Sequence, residues 1–315
     1  MADTEEVDGV ALSHLDAPLG DGLGVSKRDL LEHLLASADR MLPLLADRPL
    51  SVVRVRPGQQ PFMQKNAPKG TPEWVRTEPI WSPGAHRTVH FVVCDDRRTL
   101  VWLANQRAVE FHVPMSTLGS AEPTTLLLDL DPPEGADFAA VVAVAQLVRR
   151  ALAEVGLAGA VKTSGSKGVH VVVPVTGSDT EDVAAATRAL AARTAALDPA
   201  IATVAYIKED RGGRVFVDST RSGGGTVAAA YSPRARPGLP VSTPVSWAEL
   251  GFVTPAGLTI ATVAGRGDPW AAELPAPQRL PADLVAEGHT IPVARVAAMH
   301  EGKRRARARR EADAG

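Results

Sequence analysis

Between residues 125 and 230, short apolar runs alternate with longer segments whose apolar residues recur every three or four positions, the pattern of strands separated by helices. Thr125-Leu126-Leu127-Leu128 leads into Asp129-Leu130-Asp131 and predicts a buried strand stopped by Pro132-Pro133. Asp137 then predicts an N-cap for a helix with Phe138–Val155 as its body. Next come a strand, a glycine-rich turn and a second strand from Lys162 to Val175, and an alanine-rich helix from Glu181 to Leu197. The strand Arg214–Asp218, the glycines Gly223–Gly225, a short strand Thr226–Ala230 and an irregular stretch to Pro244 complete the region. That alternation places the chain in the α/β class.

Upstream, Ser26 predicts the cap of a helix running through Lys27-Arg28-Asp29-Leu30-Leu31-Glu32-His33-Leu34-Leu35. Short strands at Ser51–Val55, His90–Val93 and Thr99–Leu103 are expected among proline-rich loops. Residues 1–24, punctuated by Gly20, Gly22 and Gly24, read as a flexible acidic N-terminus. Residues 25–295 read as one domain, and 296–315 as a basic tail, expected to be helical and solvated. No internal repeat is visible.

The length of 315 residues allows one large domain or two moderate ones, and 45% hydrophobic with 22% charged residues is ordinary for a soluble fold. The net charge of −2 excludes a uniformly basic nucleic-acid coat. Charge is nevertheless polarised: Asp3, Glu5, Glu6, Asp8, Asp16 and Asp21 crowd the first 24 residues, and six bases lie between Lys303 and Arg310. Such a run is more often a solvated end than a DNA contact. Cys94 stands alone, so no intrachain disulfide forms, and its apolar setting Phe91-Val92-Val93-Cys94 predicts a core thiol. No signal peptide or membrane-length apolar run is visible, so a cytosolic protein with no membrane partner is expected. Arg266-Gly267-Asp268 has no extracellular context and reads as a chance tripeptide.

Candidate chemistry begins at Asp129 and Asp131. Residues two apart on a strand point the same way, so the strand's end presents two carboxylates side by side. Burying them together is costly unless a cation intervenes, and hard oxygen donors suit Mg²⁺ or Mn²⁺. The plain alternative is a solvated strand end. A second element, Thr163-Ser164-Gly165-Ser166-Lys167-Gly168-Val169-His170, gathers hydroxyls, amides and a lysine where glycines allow close backbone approach to an anion. It is not a Walker A loop, because the lysine precedes the second glycine and no Ser or Thr follows it. Alone it also reads as a glycine-rich hairpin. The third element, Val215-Phe216-Val217-Asp218, brings another strand-end carboxylate, followed by Arg221 and Tyr231-Ser232-Pro233-Arg234-Ala235-Arg236. Arginines are natural clamps for phosphate oxygens.

These three elements together resemble the archaeo-eukaryotic primase superfamily, most closely the polymerase domain of bacterial ligase D used in non-homologous end joining. The resemblance also rests on Gln64-Lys65-Asn66-Ala67-Pro68, Leu103-Ala104-Asn105-Gln106, Glu110-Phe111-His112-Val113-Pro114 and Ser246-Trp247-Ala248-Glu249-Leu250, in the same order over residues 27 to 255. It implies an α+β core of mostly antiparallel sheets flanked by helices. It further implies a template-directed nucleotidyltransferase that fills short gaps or extends DNA ends, accepting or preferring ribonucleotides.

Carried over residue by residue, Asp129, Asp131 and Asp218 match the acids that bind two divalent ions, Mn²⁺ or Mg²⁺. One ion would activate a primer 3′-hydroxyl and the other would hold the triphosphate. Ser164, Lys167 and His170 match the phosphate-binding motif, while Arg234, His112 and Lys65 match positions at the incoming nucleotide. Phe62 and Lys27 match DNA-contacting positions, Lys27 as one of the lysines that recognise a 5′-phosphate. The implied partners are gapped or broken DNA and NTPs or dNTPs, together with a Ku-like end-binding protein and a separate ligase of the same pathway.

Three departures qualify the match. Ala17 stands where a second end-recognition lysine is expected, the strand after the first helix is diluted to Ser51-Val52-Val53-Arg54-Val55-Arg56, and the loop after Asp218 is short and glycine-rich. Weaker end recognition is the expectation. No Lys-x-Asp-Gly adenylation motif occurs, so a stand-alone or excised polymerase domain is expected. Primer synthesis de novo, metal-dependent phosphodiester hydrolysis and non-catalytic DNA-end binding are the rival readings. The triphosphate-sized set of cations argues against hydrolysis, and the complete acid set against a non-catalytic module.

Overall fold

The computed structural model describes residues 5–293, so the expectation for 296–315, including the bases at 303–310, lies outside the described residues. The chain divides into two compact units. The first comprises the chain up to Ala121 with Ala160–Gly168 and Thr226–Leu274; the second comprises Glu122–Gly159, Val169–Gly225 and the chain from Pro275. The stretch 25–295, expected as one domain, thus contributes to both units.

In the second unit, Thr125–Asp131 is flanked antiparallel by Val169–Pro174 on one side and Val215–Asp218 on the other, and Ala202–Thr203 runs parallel to Val215–Asp218. Leu126, Leu127, Leu128 and Leu130 are all buried, which accounts for a strand that is apolar on both faces rather than alternating. Helices Phe138–Glu154 and Thr180–Leu197 supply the cover, with N-caps at Asp137 and Asp179 accepting from Ala139 N and Asp182 N. A third helix, Ala282–Thr290, lies against Thr180–Leu197 so closely that a Cβ on Gly288 would sit 1.9 Å from the Ala185 carbonyl oxygen. Only glycine tolerates that approach.

In the first unit, Thr226–Ala228, Ala108–Pro114, Ser51–Arg56 and Gln59–Gln64 form an antiparallel sheet in that order, and Thr77–Ser82 pairs with Arg87–Val92 as a hairpin. Ala160–Thr163 pairs with Pro244–Val245. The helix Lys27–Leu45 opens with a capping box between Ser26 and Asp29, and its apolar face buries Leu30, Leu31, Leu34, Ala38 and Met41.

The structure corrects two expectations. Thr99–Leu103 is not a strand but part of the helix Arg97–Asn105, because Asp96 caps it by accepting from Thr99 N, and Leu100, Val101, Leu103 and Ala104 bury together. Residues 5–24 are not loose: Glu5–Val7 and Val10–Leu12 form a hairpin, Leu12, Leu15, Leu19 and Leu23 are buried, and Arg28 pairs with Glu5 and Asp16. The leucines between the acids supply the adhesion that the glycines obscured. Cys94 is fully buried, which pushes its thiol pKa up. Among the described residues no helix is long and apolar enough to cross a membrane.

Candidate active site

Strand register assembles the acids. Asp129 sits directly opposite His170 on one neighbouring strand and opposite Asp218 on the other. Asp131, two residues on, shares the face of Asp129. Asp129, Asp131 and Asp218 each offer a carboxylate oxygen, and all three oxygens lie within 4.8 Å of one another. Asp129 and Asp218 are 7% and 6% exposed.

Three anions held this closely repel, and the neighbours respond. Asp131 has its pKa pushed up to about 6, first by burial and then by the charges of Asp129 and Asp218, against the pull of Arg211 and Arg221. His170 Nε2 lies 3.4 Å from Asp129 Oδ1. Arg221 Nε lies 3.5 Å from Asp129 Oδ2 and 4.0 Å from Asp218 Oδ2. Asp218 Oδ1 also accepts from Thr220 N at 2.7 Å, which fixes its rotamer. An all-carboxylate donor set of this size, short of cationic charge, fits a hard divalent cation and not a soft one.

The first unit holds a separate, mostly cationic set. Ser164 is buried, and its Oγ accepts from Ser166 N at 3.2 Å and Gly168 N at 3.1 Å, which closes the loop around its own hydroxyl. Gly165 has φ +69°, and a Cβ there would lie 2.6 Å from Arg234 Cγ and 2.9 Å from Ser242 N. Glycine is therefore required for Arg234 to cross the loop, where its Nη1 donates to Ser164 O at 2.8 Å. Arg234 Nε lies 3.0 Å from Glu110 Oε2, an ion-pair contact outside hydrogen-bond angle. The same carboxylate oxygen is 2.8 Å from His112 Nε2, and Glu110 Oε1 accepts from Ala235 N. Burial alone would raise the Glu110 carboxyl, but His112, Arg234 and the Ala235 amide together hold it below its usual range. Lys167 is exposed at the loop's tip.

Phe62, on Gln59–Gln64, is half-buried with Arg54 and Arg56 over its ring at 5.9 and 5.3 Å to the centroid. These residues, with Lys65, Lys69 and Arg87, line a cavity of about 750 Å³, and no carboxylate is among its described lining residues. Lys27 is placed differently from a surface phosphate ligand: it is 3% exposed, and its Nζ donates to Ser13 O and Asn105 Oδ1. Burial and then the nearby Arg107 charge lower its pKa to about 8.

The structure thus gathers Asp129, Asp131, Asp218 and His170 in one unit, and Ser164, Arg234 and His112 in the other. Sequence reasoning missed Glu110, the anchor that orients both Arg234 and His112. Its i, i+2 spacing to His112 on a strand was the available signal. The place of Arg221 beside the acids follows only from strand pairing, which puts Asp218 opposite Asp129.

A family model described as LigD, primase-polymerase domain, matches residues 26–270. A Bacillus subtilis bifunctional non-homologous end joining protein LigD is 32% identical over 247 residues, covering 76% of this chain and 39% of the relative. The Mycobacterium bovis multifunctional protein LigD is 35% identical over 256 residues, covering 76% of this chain and 33% of the relative. The chain therefore spans between a third and two fifths of the length of these relatives. Among solved structures, the polymerase domain from Mycobacterium tuberculosis ligase D in complex with DNA superposes with a TM-score of 0.75 at 31% identity. That match covers 84% of this chain and 99% of the solved one.

Proposed function

The chain belongs to the LigD primase-polymerase family of nucleotidyltransferases, and from that premise we propose that it adds nucleotides to a DNA 3′ end under template direction. Gap filling or end extension during non-homologous end joining is the proposed setting, with ribonucleotides accepted. The observation that carries this reading is the trio Asp129, Asp131 and Asp218, delivered by adjacent strands to within 4.8 Å.

Those three carboxylates are the proposed ligands for two divalent ions, Mn²⁺ or Mg²⁺. Such ions supply Lewis-acid activation of the 3′-hydroxyl and neutralise charge on the leaving pyrophosphate. The chain's own residues do the positioning. His170, buried beside Asp129, restricts that carboxylate's orientation. Ser164, Lys167 and Arg234 supply a hydroxyl, an ammonium and a guanidinium for the triphosphate, with Glu110 fixing Arg234 and His112. Phe62 and the cations around it offer a stacking face and phosphate contacts for a DNA strand. With Lys27 buried and Ala17 uncharged, a 5′-phosphate is held less firmly at that end of the chain.

The test is a 5′-labelled primer on a gapped template with Mn²⁺, each rNTP compared with its dNTP. Template-matched growth supports the reading. Shortening of the label without added nucleotide would assign the acids to hydrolysis instead, and tight binding with neither outcome would leave a non-catalytic end-binding module.

A further inference from the structure

Beside the acids, the second unit contains a cavity of about 310 Å³ that metal binding and triphosphate binding leave without a role. Arg188, Arg221, Ser219, Thr220, Tyr206 and the glycine run Gly223–Gly225 contribute to its wall, and among the described residues no carboxylate does. Arg221 lines it while its Nε stands 3.5 Å from Asp129, so the cavity opens next to the acid cluster.

Arg188 is the informative residue. It rises from the helix Thr180–Leu197, is half-buried, and donates from Nε and Nη2 to one acceptor, the Gly288 carbonyl. Among the described residues no carboxylate pairs with it, and burial pushes its pKa down. A guanidinium partly withdrawn from water without a counter-ion costs free energy that an incoming anion would recover. Gly224, at φ +100° with nothing within 4 Å of where a Cβ would stand, keeps one wall open, and two hydroxyls offer donors. Tyr206 is 37% exposed and held edge-on against Phe216 at 6.4 Å, a face suited to a sugar or base.

Two arginines, two hydroxyls and an aromatic face recognise a phosphate group carried on a nucleotide. We propose that this cavity is a phosphate subsite for the strand being extended, holding a phosphodiester near its 3′ end. The assignment to the strand rests on the polymerase reading. There the triphosphate already has Ser164, Lys167 and Arg234, while the strand's hydroxyl must reach the acids and its nearest phosphodiesters must lie close behind.

The experiment measures binding of fluorescently labelled primer–template to the full chain by anisotropy, without nucleotide or metal. One phosphodiester is replaced by an uncharged methylphosphonate, at the first or second linkage from the 3′ end or at a distant control linkage. Loss of one anion from a two-arginine site is expected to weaken binding roughly tenfold at a terminal linkage and not at the control. Arg188→Gln should weaken binding of the unmodified strand similarly and abolish the further effect of the neutral linkage, whereas Arg188→Lys restores part of it. Equal binding of charged and neutral terminal linkages would overturn the proposal. So would an undiminished neutral-linkage effect in Arg188→Gln, or a competition by inorganic pyrophosphate that Arg188→Gln removes while strand binding is unchanged. Extension of the unmodified primer is scored in parallel: its absence, with the linkage effect present, would remove the polymerase premise and leave the subsite.

Discussion

Replacing Asp131 by Asn separates the cost of the acid cluster from its use. Asp131 has a folded pKa of about 6 against an ordinary 3.8. Between those values the folded protein holds a proton that the unfolded chain releases, so stability falls as pH rises through the window. The penalty is complete above pH 6. The difference between those two values corresponds to about 3 kcal/mol. An amide retains part of the desolvation cost, so Asp131→Asn is expected to stabilise the metal-free protein by about 1–2 kcal/mol at pH 7.5, a rise of roughly 2–8 °C in Tm. The same variant lacks one of the three proposed anionic ligands, so the rise in Tm produced by Mn²⁺ should shrink sharply. For the unmodified protein that rise should be larger at pH 7.5 than at pH 5, where a proton competes for Asp131. Differential scanning calorimetry with and without Mn²⁺ reads all of these. A metal-free variant less stable than the parent, or an unchanged Mn²⁺ shift, would refute the reasoning.

Two further outcomes follow from particular side chains. Gly165→Ala places a Cβ against Arg234 Cγ and Ser242 N at φ +69°, so it should cost about 2–4 kcal/mol in urea unfolding and weaken nucleotide binding, read by titration calorimetry. Lys27 has a folded pKa of about 8 against 10.5, so the unfolded chain binds the extra proton between those values and stability rises with pH across them. The gain should be of order 1–3 kcal/mol, and absent in Lys27→Met; a flat profile in the parent would contradict the buried-charge account.

Much of the acid site was legible because strand periodicity is local. Asp129 and Asp131 fall two apart on an apolar run, and a carboxylate at the end of Val215–Asp218 repeats the pattern. The pairing of Asp218 and His170 with Asp129 was not legible in this way, since register depends on partners 41 or more residues away. Thr99–Leu103 misled because a short apolar run fits strand or helix alike, and the deciding signal was the cap at Asp96. In residues 5–24 the glycines and acids suggested looseness, while buried leucines and the ion pairs of Arg28 fix the segment. Lys27 could be matched by position but not by burial, because its partners Ser13 and Asn105 come from distant turns of the chain.

That Asp129, Asp131 and Asp218 carry nucleotidyl transfer is the proposal on which the acid site's role rests. Its most direct test is single-nucleotide incorporation on a gapped template with Mn²⁺ by the parent, Asp129→Asn and Asp218→Asn, each shown by circular dichroism to be folded. Incorporation by the parent and a loss of at least about a thousandfold in both variants are expected. Incorporation retained in either folded variant would contradict the proposal.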